Sequence, residues 1–285
     1  MATMYIRAPD HLGDGVMALP AIEALRSLGA VFIDGPPWAE ELYGSRCTDR
    51  PQADIAVLFK PSFSAAWRAR KCKRRIGVRW DFRGPLLTDP IARGSGHRAE
   101  EYAAIAALAG AEVTQPPRYS PAAPPPADLP DRFVLFLPLT NSTATVAWNG
   151  FRALADALEL PAVFAAGPGE DEALKSIAGP HQTLKPLPLP ALAEVARMAC
   201  GVIGNDSGLI HFSAAAIRGA NGDPSKVHVV YGSTDPTRTG PPGTHPHALQ
   251  PLPCWPCYKK RCSVASAAPC LEVPLNQVLS ELRWQ

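Results

Sequence analysis

The chain has 285 residues, of which 46% are hydrophobic and 19% charged, with a formal net charge of +2 at neutral pH. That length holds two domains of ordinary size, and the composition is that of a soluble globular protein, not a disordered or fibrous one. Such a small charge gives no footing for nucleic acid as a partner, no run of 18 apolar residues marks a membrane span, and residues 1–9 lack the features of a signal peptide, so the cytoplasm is the expected location.

Residues 4–8 are predicted as a first strand and 16–28 as an amphipathic helix, with Val16, Leu19, Ile22, Leu25 and Leu28 in rough helical register. Between them Gly13 and Gly15 flank Asp14 on a tight turn, at the sheet edge where open α/β folds hold ligands. On residues alone, Asp14 is either the helix N-cap or an exposed, reactive carboxylate. Residues 31–34 and 54–59 are the next strands, with a helix through 38–43. Lys60-Pro-Ser62 follows, then a run at 68–75 in which six of eight residues are cationic, among them Arg74 and Arg75. A run of this kind is either a solvated helix face or a landing site for an acidic acceptor or anionic lipid headgroups.

Residues 115–130 hold seven prolines, enough to forbid a helix interior or a central strand, and are predicted as a stiff connector. Beyond it the rhythm restarts, with strands at 132–138 and 161–166 and helices at 151–160 and 170–177. Two successive α/β halves predict two Rossmann-like domains facing across a cleft. The turn after the first of these strands offers the Thr140 and Ser142 hydroxyls for phosphate, or is simply a polar loop.

Residues 201–216 form a buried strand, a polar turn and a small-residue helix. Asn205, Asp206 and Ser207 are N-cap types, and Gly208 lets a ligand approach the free N–H groups of the first turn, which makes a diphosphate seat. An anion beside Asp206 would be repelled, so this carboxylate is expected to turn onto helix N–H groups or to accept sugar hydroxyls. His211 lies one helical turn beyond Ser207, placed to meet a phosphate. The alternative is an ordinary capped junction with a packed histidine. Further on, Cys254, Cys257, Cys262 and Cys270 fall within seventeen residues. That spacing suits a structural Zn or Fe site or a set of free thiols, ahead of disulfides in a cytoplasmic protein.

The stretch from Asn205 resembles the signature of glycosyltransferase family 9, which contains the lipopolysaccharide heptosyltransferases. Asn205 to His211, the alanines 214–216, Gly232-Ser233-Thr234-Asp235-Pro236 and Thr239-Gly240-Pro241 follow its order, although residues 217–225 are longer than the usual link. Gly13-Asp14, the segment 20–26, Gly167-Pro-Gly-Glu170 and the cysteine segment also match, and residues 84–89 and 97–102 resemble the second heptosyltransferase of the pathway. The family's lysine before Trp148 is replaced by Val146.

The resemblance implies a GT-B architecture. Residues 1–115 would form the acceptor-binding domain, 116–130 the linker, 131–270 the donor-binding domain, and 271–285 a helix crossing back. It makes Asp14 the general base, and it gives Thr140, Ser142, Glu170 (or Glu172), Asp206, Ser207, Gly208, Leu209 and His211 to the donor. Lys60, Ser62, Arg74 and Arg75 would meet the acceptor. The implied activity is inverting transfer of a sugar, heptose from ADP-heptose, to an acidic, lipid-linked lipopolysaccharide inner-core acceptor. No cofactor is required, and peripheral contact with the inner membrane is implied. A nucleotide-sugar epimerase and a non-catalytic nucleotide-sugar or glycan-binding relative are the rivals.

Overall fold

The chain divides into two units, Met1–Arg118 and Tyr119–Gln285, in a computed structural model that describes residues 2–47, 53–140, 147–248, 252–259, 262–264, 268–282 and 284. In the first unit β1 (Thr3–Arg7), β2 (Ala30–Asp34), β3 (Ile55–Leu58), β4 (Arg74–Val78) and β5 (Asp89–Ile91) form a sheet in the order β2-β1-β3-β4-β5. Every strand pair is parallel. The helices α1 (Leu12–Arg26), α2 (Trp38–Tyr43) and α3 (Phe63–Arg68) follow the first three strands, and α4 (Arg98–Leu108) follows β5 and packs on α1. Pro90 is tolerated in β5 because that strand is the sheet edge and needs fewer ladder hydrogen bonds.

The helix α1 begins four residues before the predicted start. Its N-cap is His11, so Asp14 lies inside the first turn and is not the cap. Gly15 suggested a turn, yet it is helical for a packing reason: a Cβ there would stand 2.4 Å from the Trp38 ring.

The second unit contains β6 (Val134–Leu137), β7 (Ala162–Phe164), β8 (Gln182–Thr183), β9 (Gly201–Asn205), β10 (Val227–Tyr231) and β11 (His245–Ala248), again all parallel, in the order β11-β10-β9-β6-β7-β8. Its helices are α5 (Phe151–Ala157), α6 (Asp171–Ala178), α7 (Leu189–Met198), α8 (Gly208–Gly219), the single turn α9 (Pro236–Thr239) and α10 (Leu275–Glu281). Every residue of β6, β9 and β10 is buried, as expected for parallel strands covered on both faces. Phe136 and Phe164 stack in the core at 4.7 Å between centroids.

The proline-rich segment is held on this unit from Tyr119 onward. Tyr119 N–H donates to the Ala215 carbonyl at 2.9 Å, its ring packs edge-on against Phe212, and Arg197 donates to its carbonyl at 2.7 Å. The tail, expected to cross back to the first domain, buries Val273, Val278 and Trp284 in the core of the second unit. Among the described residues, no helix is long and apolar enough to cross a membrane.

Candidate functional site

In each sheet the strand order reverses beside the unit's first strand. The chain moves from β6 to β7 on one side and returns to β9 on the other, and it does the same with β1, β2 and β3. At such a reversal the two following loops diverge and leave a crevice at the carboxyl ends of the strands. The sequence-predicted donor residues sit at the second unit's reversal, and Asp14 sits at the first unit's.

At the second unit's reversal, Thr140 follows β6 and residues 206–208 follow β9, with the Thr140 hydroxyl 3.5 Å from the Asp206 carbonyl. Ser142 and Val146 lie outside the described residues. Asn205, fully buried, ties the crevice floor together: its amide donates to the Pro138 carbonyl at 2.5 Å and its oxygen accepts from Trp148 N–H at 3.0 Å. Trp148 in turn donates its indole N–H to the Val273 carbonyl at 3.0 Å.

Ser207 is the N-cap of α8 in extended conformation, yet its side chain makes no cap bond. Its buried hydroxyl has no hydrogen-bond partner among the described residues. A buried hydroxyl left unpaired at the end of a helix with free N–H groups is the sort of group a ligand satisfies. The Tyr231 hydroxyl, at the end of β10, is also buried and unpartnered, and burial, with the Asp206 charge nearby, pushes its pKa far up, so it stays protonated.

The Asp206 carboxylate does not turn onto helix N–H groups. It accepts from the Thr234 hydroxyl at 2.7 Å and meets His211 Nε2 at 3.1 Å. His211 is itself buried, with its Nε2 facing Asp206. Thr234 belongs to the second half of the motif, and the cysteine segment braces its turn. Trp255 donates its indole N–H to the Gly232 carbonyl at 2.9 Å, and the N–H groups of Cys257 and Tyr258 reach the Ser233 carbonyl at 3.2 and 3.0 Å.

Leu209 lies in the first turn of α8. Glu170 stands after β7, at the same edge of the sheet, and one of its oxygens accepts from Gly167 N–H at 2.8 Å. The alternative, Glu172, points to solvent beside Lys175.

At the first unit's reversal, Asp14 Oδ1 accepts from the Tyr102 hydroxyl at 2.9 Å and lies 4.0 Å from Arg98 Nε, with a third of the side chain still exposed. Burial and then Asp14 raise the Tyr102 pKa well above its ordinary value, so the phenol remains a donor. Lys60 follows β3 and reaches Asp10 at 2.6 Å, and Arg7 holds the other oxygen of Asp10 at 2.7 Å. Ser62 caps α3 by accepting from Ala65 N–H at 3.3 Å.

Arg83, which the sequence did not single out, is fully buried and binds the carbonyls of Val78 at 2.8 Å and Lys60 at 2.6 Å. Burial brings its pKa down to about 10, with Glu101 and Asp81 acting the other way. It is therefore still charged at neutral pH.

Arg74 and Arg75, expected to meet the acceptor, lie apart from this group. They begin β4, opposite Ile55 and Ala56, at the amino edge of the sheet and away from the loops that follow the strands. Their guanidinium groups are used internally: Arg74 binds Asp89 and the Leu108 carbonyl, and Arg75 the carbonyls of Leu86 and Cys72. The cationic run is thus neither a continuous helix face nor a single patch; it spans the end of α3, a turn and the start of a strand.

Among the described residues no disulfide joins any two cysteines; Cys254 is exposed and Cys270 buried. Burial raises the pKa of Cys270, and Cys257, Cys262 and Cys254 push it the same way, so the four lie in one neighbourhood. Among the described residues, the group of three or more ligand-type side chains whose donor atoms lie within 4.8 Å of one another is His228, His245 and His247.

Residues 48–268 match glycosyltransferase family 9 (heptosyltransferase). The chain belongs to that family. Among solved structures, likeness of fold extends over nearly its whole length. It superposes on Escherichia coli ADP-heptose lipopolysaccharide heptosyltransferase II with a TM-score of 0.75 at 17% identity, covering 98% of this chain and 97% of that one. E. coli heptosyltransferase WaaC with ADP-2-deoxy-2-fluoro heptose gives 0.68 at 16%, covering 98% of each. The iron-containing dodecameric glycosyltransferase TibC from enterotoxigenic E. coli gives 0.66 at 16%, covering 99% of this chain and 76% of that one. No curated protein matches the sequence. The two parallel-sheet domains are those of the GT-B fold.

Proposed function

We propose that this family 9 protein is an inverting glycosyltransferase that moves heptose from ADP-heptose onto an acidic, lipid-linked lipopolysaccharide inner-core acceptor. The observation that carries the reading is the strand reversal of the second unit, where the unpaired, buried Ser207 hydroxyl stands at the N-terminus of α8. The WaaC structures hold ADP and an ADP-heptose analogue, which supports the same class of donor here.

In this mechanism the Asp14 carboxylate takes the proton of the acceptor hydroxyl while that oxygen attacks the anomeric carbon. The bond from that carbon to the diphosphate breaks, and ADP leaves with the electron pair. The Ser207 hydroxyl and the first N–H groups of α8, at Gly208 and Leu209, stabilise the departing charge. With a helix terminus in that role the transfer step needs no divalent cation. Thr140, and Ser142 beyond the described residues, extend the phosphate site, and Glu170 takes the nucleoside. His211 and Thr234 act through Asp206, which they hold in place.

The acceptor half rests on Lys60 and Ser62 at the first unit's reversal. It draws further support from the exposed aromatic surface beside them. Phe63 and Trp67 stack on α3 with Arg70 over the Trp67 ring, Trp80 carries Arg93, and Phe82 is 93% exposed. Aromatic rings interleaved with cations suit the headgroup region of an anionic membrane, in keeping with a cytoplasmic protein that visits the inner membrane. Incubation with ADP-heptose and lipid-linked inner-core acceptors should release ADP only when an acceptor is present. Donor conversion without acceptor would point to an epimerase, and ADP binding without any transfer to a non-catalytic relative; either would overturn the proposal.

A further inference from the structure

The second unit also holds a cluster of imidazoles with no part in the reaction above. β10 and β11 pair in parallel with His228 opposite His245. Side chains alternate along a strand, so His245 and His247 share one face of the edge strand. The three rings meet there with centroids 4.9 to 5.1 Å apart, and His228 Nδ1 lies 2.9 Å from His247 Nε2. Glu281, the last residue of α10, brings Oε2 to 3.0 Å from His245 Nε2 and 2.8 Å from His247 Nδ1. Trp284 covers the cluster edge-on at 5.4 Å from His228.

Hydrogen bonding within the cluster leaves it incomplete. His228 and His247 are fully buried, and among the described residues His228 Nε2 has no hydrogen-bond partner. A neutral imidazole has one donor nitrogen and one acceptor nitrogen. Whichever tautomers are drawn, a ring nitrogen of His228 is left unpaired in the interior, where such groups are uncommon.

Three imidazoles are a ligand set suited to zinc and its first-row neighbours, and unsuited to magnesium or calcium, which prefer oxygen ligands. A carboxylate against the outer nitrogen of a ligating ring is the usual support for such a set. Tetrahedral zinc spaces its ligand atoms about 3.3 Å apart, and one nitrogen from each of the three rings lies within 4.8 Å of the others. We propose that His228, His245 and His247 bind one zinc-class divalent cation that fastens the edge strand β11 to β10 and, with Glu281 supporting the rings of His245 and His247, draws the tail helix α10 onto them. The cation would close the chain segment between β11 and α10, which carries the four cysteines, and so limit the freedom of the turn that braces Ser233 and Thr234. This site is separate from the cysteines and does not depend on the donor reading.

The test uses the full chain, stripped of metal and titrated with Co²⁺. One equivalent should give the visible bands of a tetrahedral site without thiolate-to-cobalt charge transfer, and added Zn²⁺ should displace it and raise the melting temperature with saturation. His245→Ala, at a partly exposed ring, and Glu281→Gln should each weaken binding by at least about tenfold, while Cys257→Ser leaves it unchanged. Absence of bands together with a melting temperature indifferent to Zn²⁺ would reduce the cluster to packed histidines and refute the site. Thiolate charge transfer that survives His245→Ala and disappears in Cys257→Ser would equally refute it, by giving the metal to the cysteines.

Discussion

Replacing Asp14 with Asn should lower the rate of sugar transfer by about 10²-fold or more, the usual scale for general-base catalysis, with ADP affinity and thermal unfolding nearly unchanged. The stability half of that expectation follows from the helix geometry. His11, not Asp14, is the N-cap of α1, so the substitution removes a favourable charge in the first turn, about 0.3–1 kcal/mol, and a 4.0 Å approach to Arg98, which keeps Glu101 at 2.8 Å. The amide keeps an oxygen for the Tyr102 hydroxyl, and the local packing has no reason to move. What it loses is the capacity to accept a proton. Tyr102→Phe would retain the ring against Phe59 and delete the donor. It should cost about tenfold, the scale of one hydrogen bond to a charged group. Near-normal turnover in Asp14→Asn would remove the carboxylate from the mechanism.

The second large effect is structural. Arg83→Leu should destabilise the first unit by about 3 kcal/mol or more, because the Val78 and Lys60 carbonyls lose their buried partner and each orphaned group costs about 1–3 kcal/mol. That corresponds to a fall of roughly 10 °C in the unit's melting temperature. The neighbouring Glu101 keeps Arg98 at 2.8 Å, so no bare carboxylate is added to the loss. Arg83→Lys should recover only part of the stability, since one ammonium on a flexible stem cannot span carbonyls that a planar fork reaches together. Melting within a degree or two of the parent for Arg83→Leu would show that water replaces the guanidinium at no cost.

These two residues also mark what the sequence can and cannot reveal. Asp14 was legible because two glycines and a following apolar register point to a strand-to-helix junction, although its place within the helix was not. That depended on Trp38 lying over Gly15, a contact between elements that no local pattern records. Arg83 sits in a polar stretch that resembles an ordinary loop, and its burial arises only when the ends of β3 and β4 meet around it.

The cationic run shows the same limit. Charge density identified Arg74 and Arg75, but strand direction put them at the amino edge of the sheet, where neighbouring carbonyls and Asp89 use their charge. The turn at residues 205–208 was the most legible feature, since cap-type residues between a buried strand and an alanine-rich helix admit few arrangements. Even there, Thr234 as the partner of Asp206 required the pairing of β9 with β10. His228 lies in an otherwise apolar strand, and nothing near it in sequence points to the two histidines that join it.

The claim on which the functional account depends is that the donor diphosphate sits at the N-terminus of α8. Calorimetry with ADP and with adenosine, on the parent and on Gly208→Val, tests it most directly. A side chain at the first helical position would stand between phosphate oxygens and the N–H groups that should hold them. The account predicts that Gly208→Val, folded as the parent is, loses at least about tenfold in ADP affinity while both proteins bind adenosine equally. If the folded variant binds ADP as tightly as the parent does, the diphosphate lies elsewhere and the assignment of the donor site is wrong.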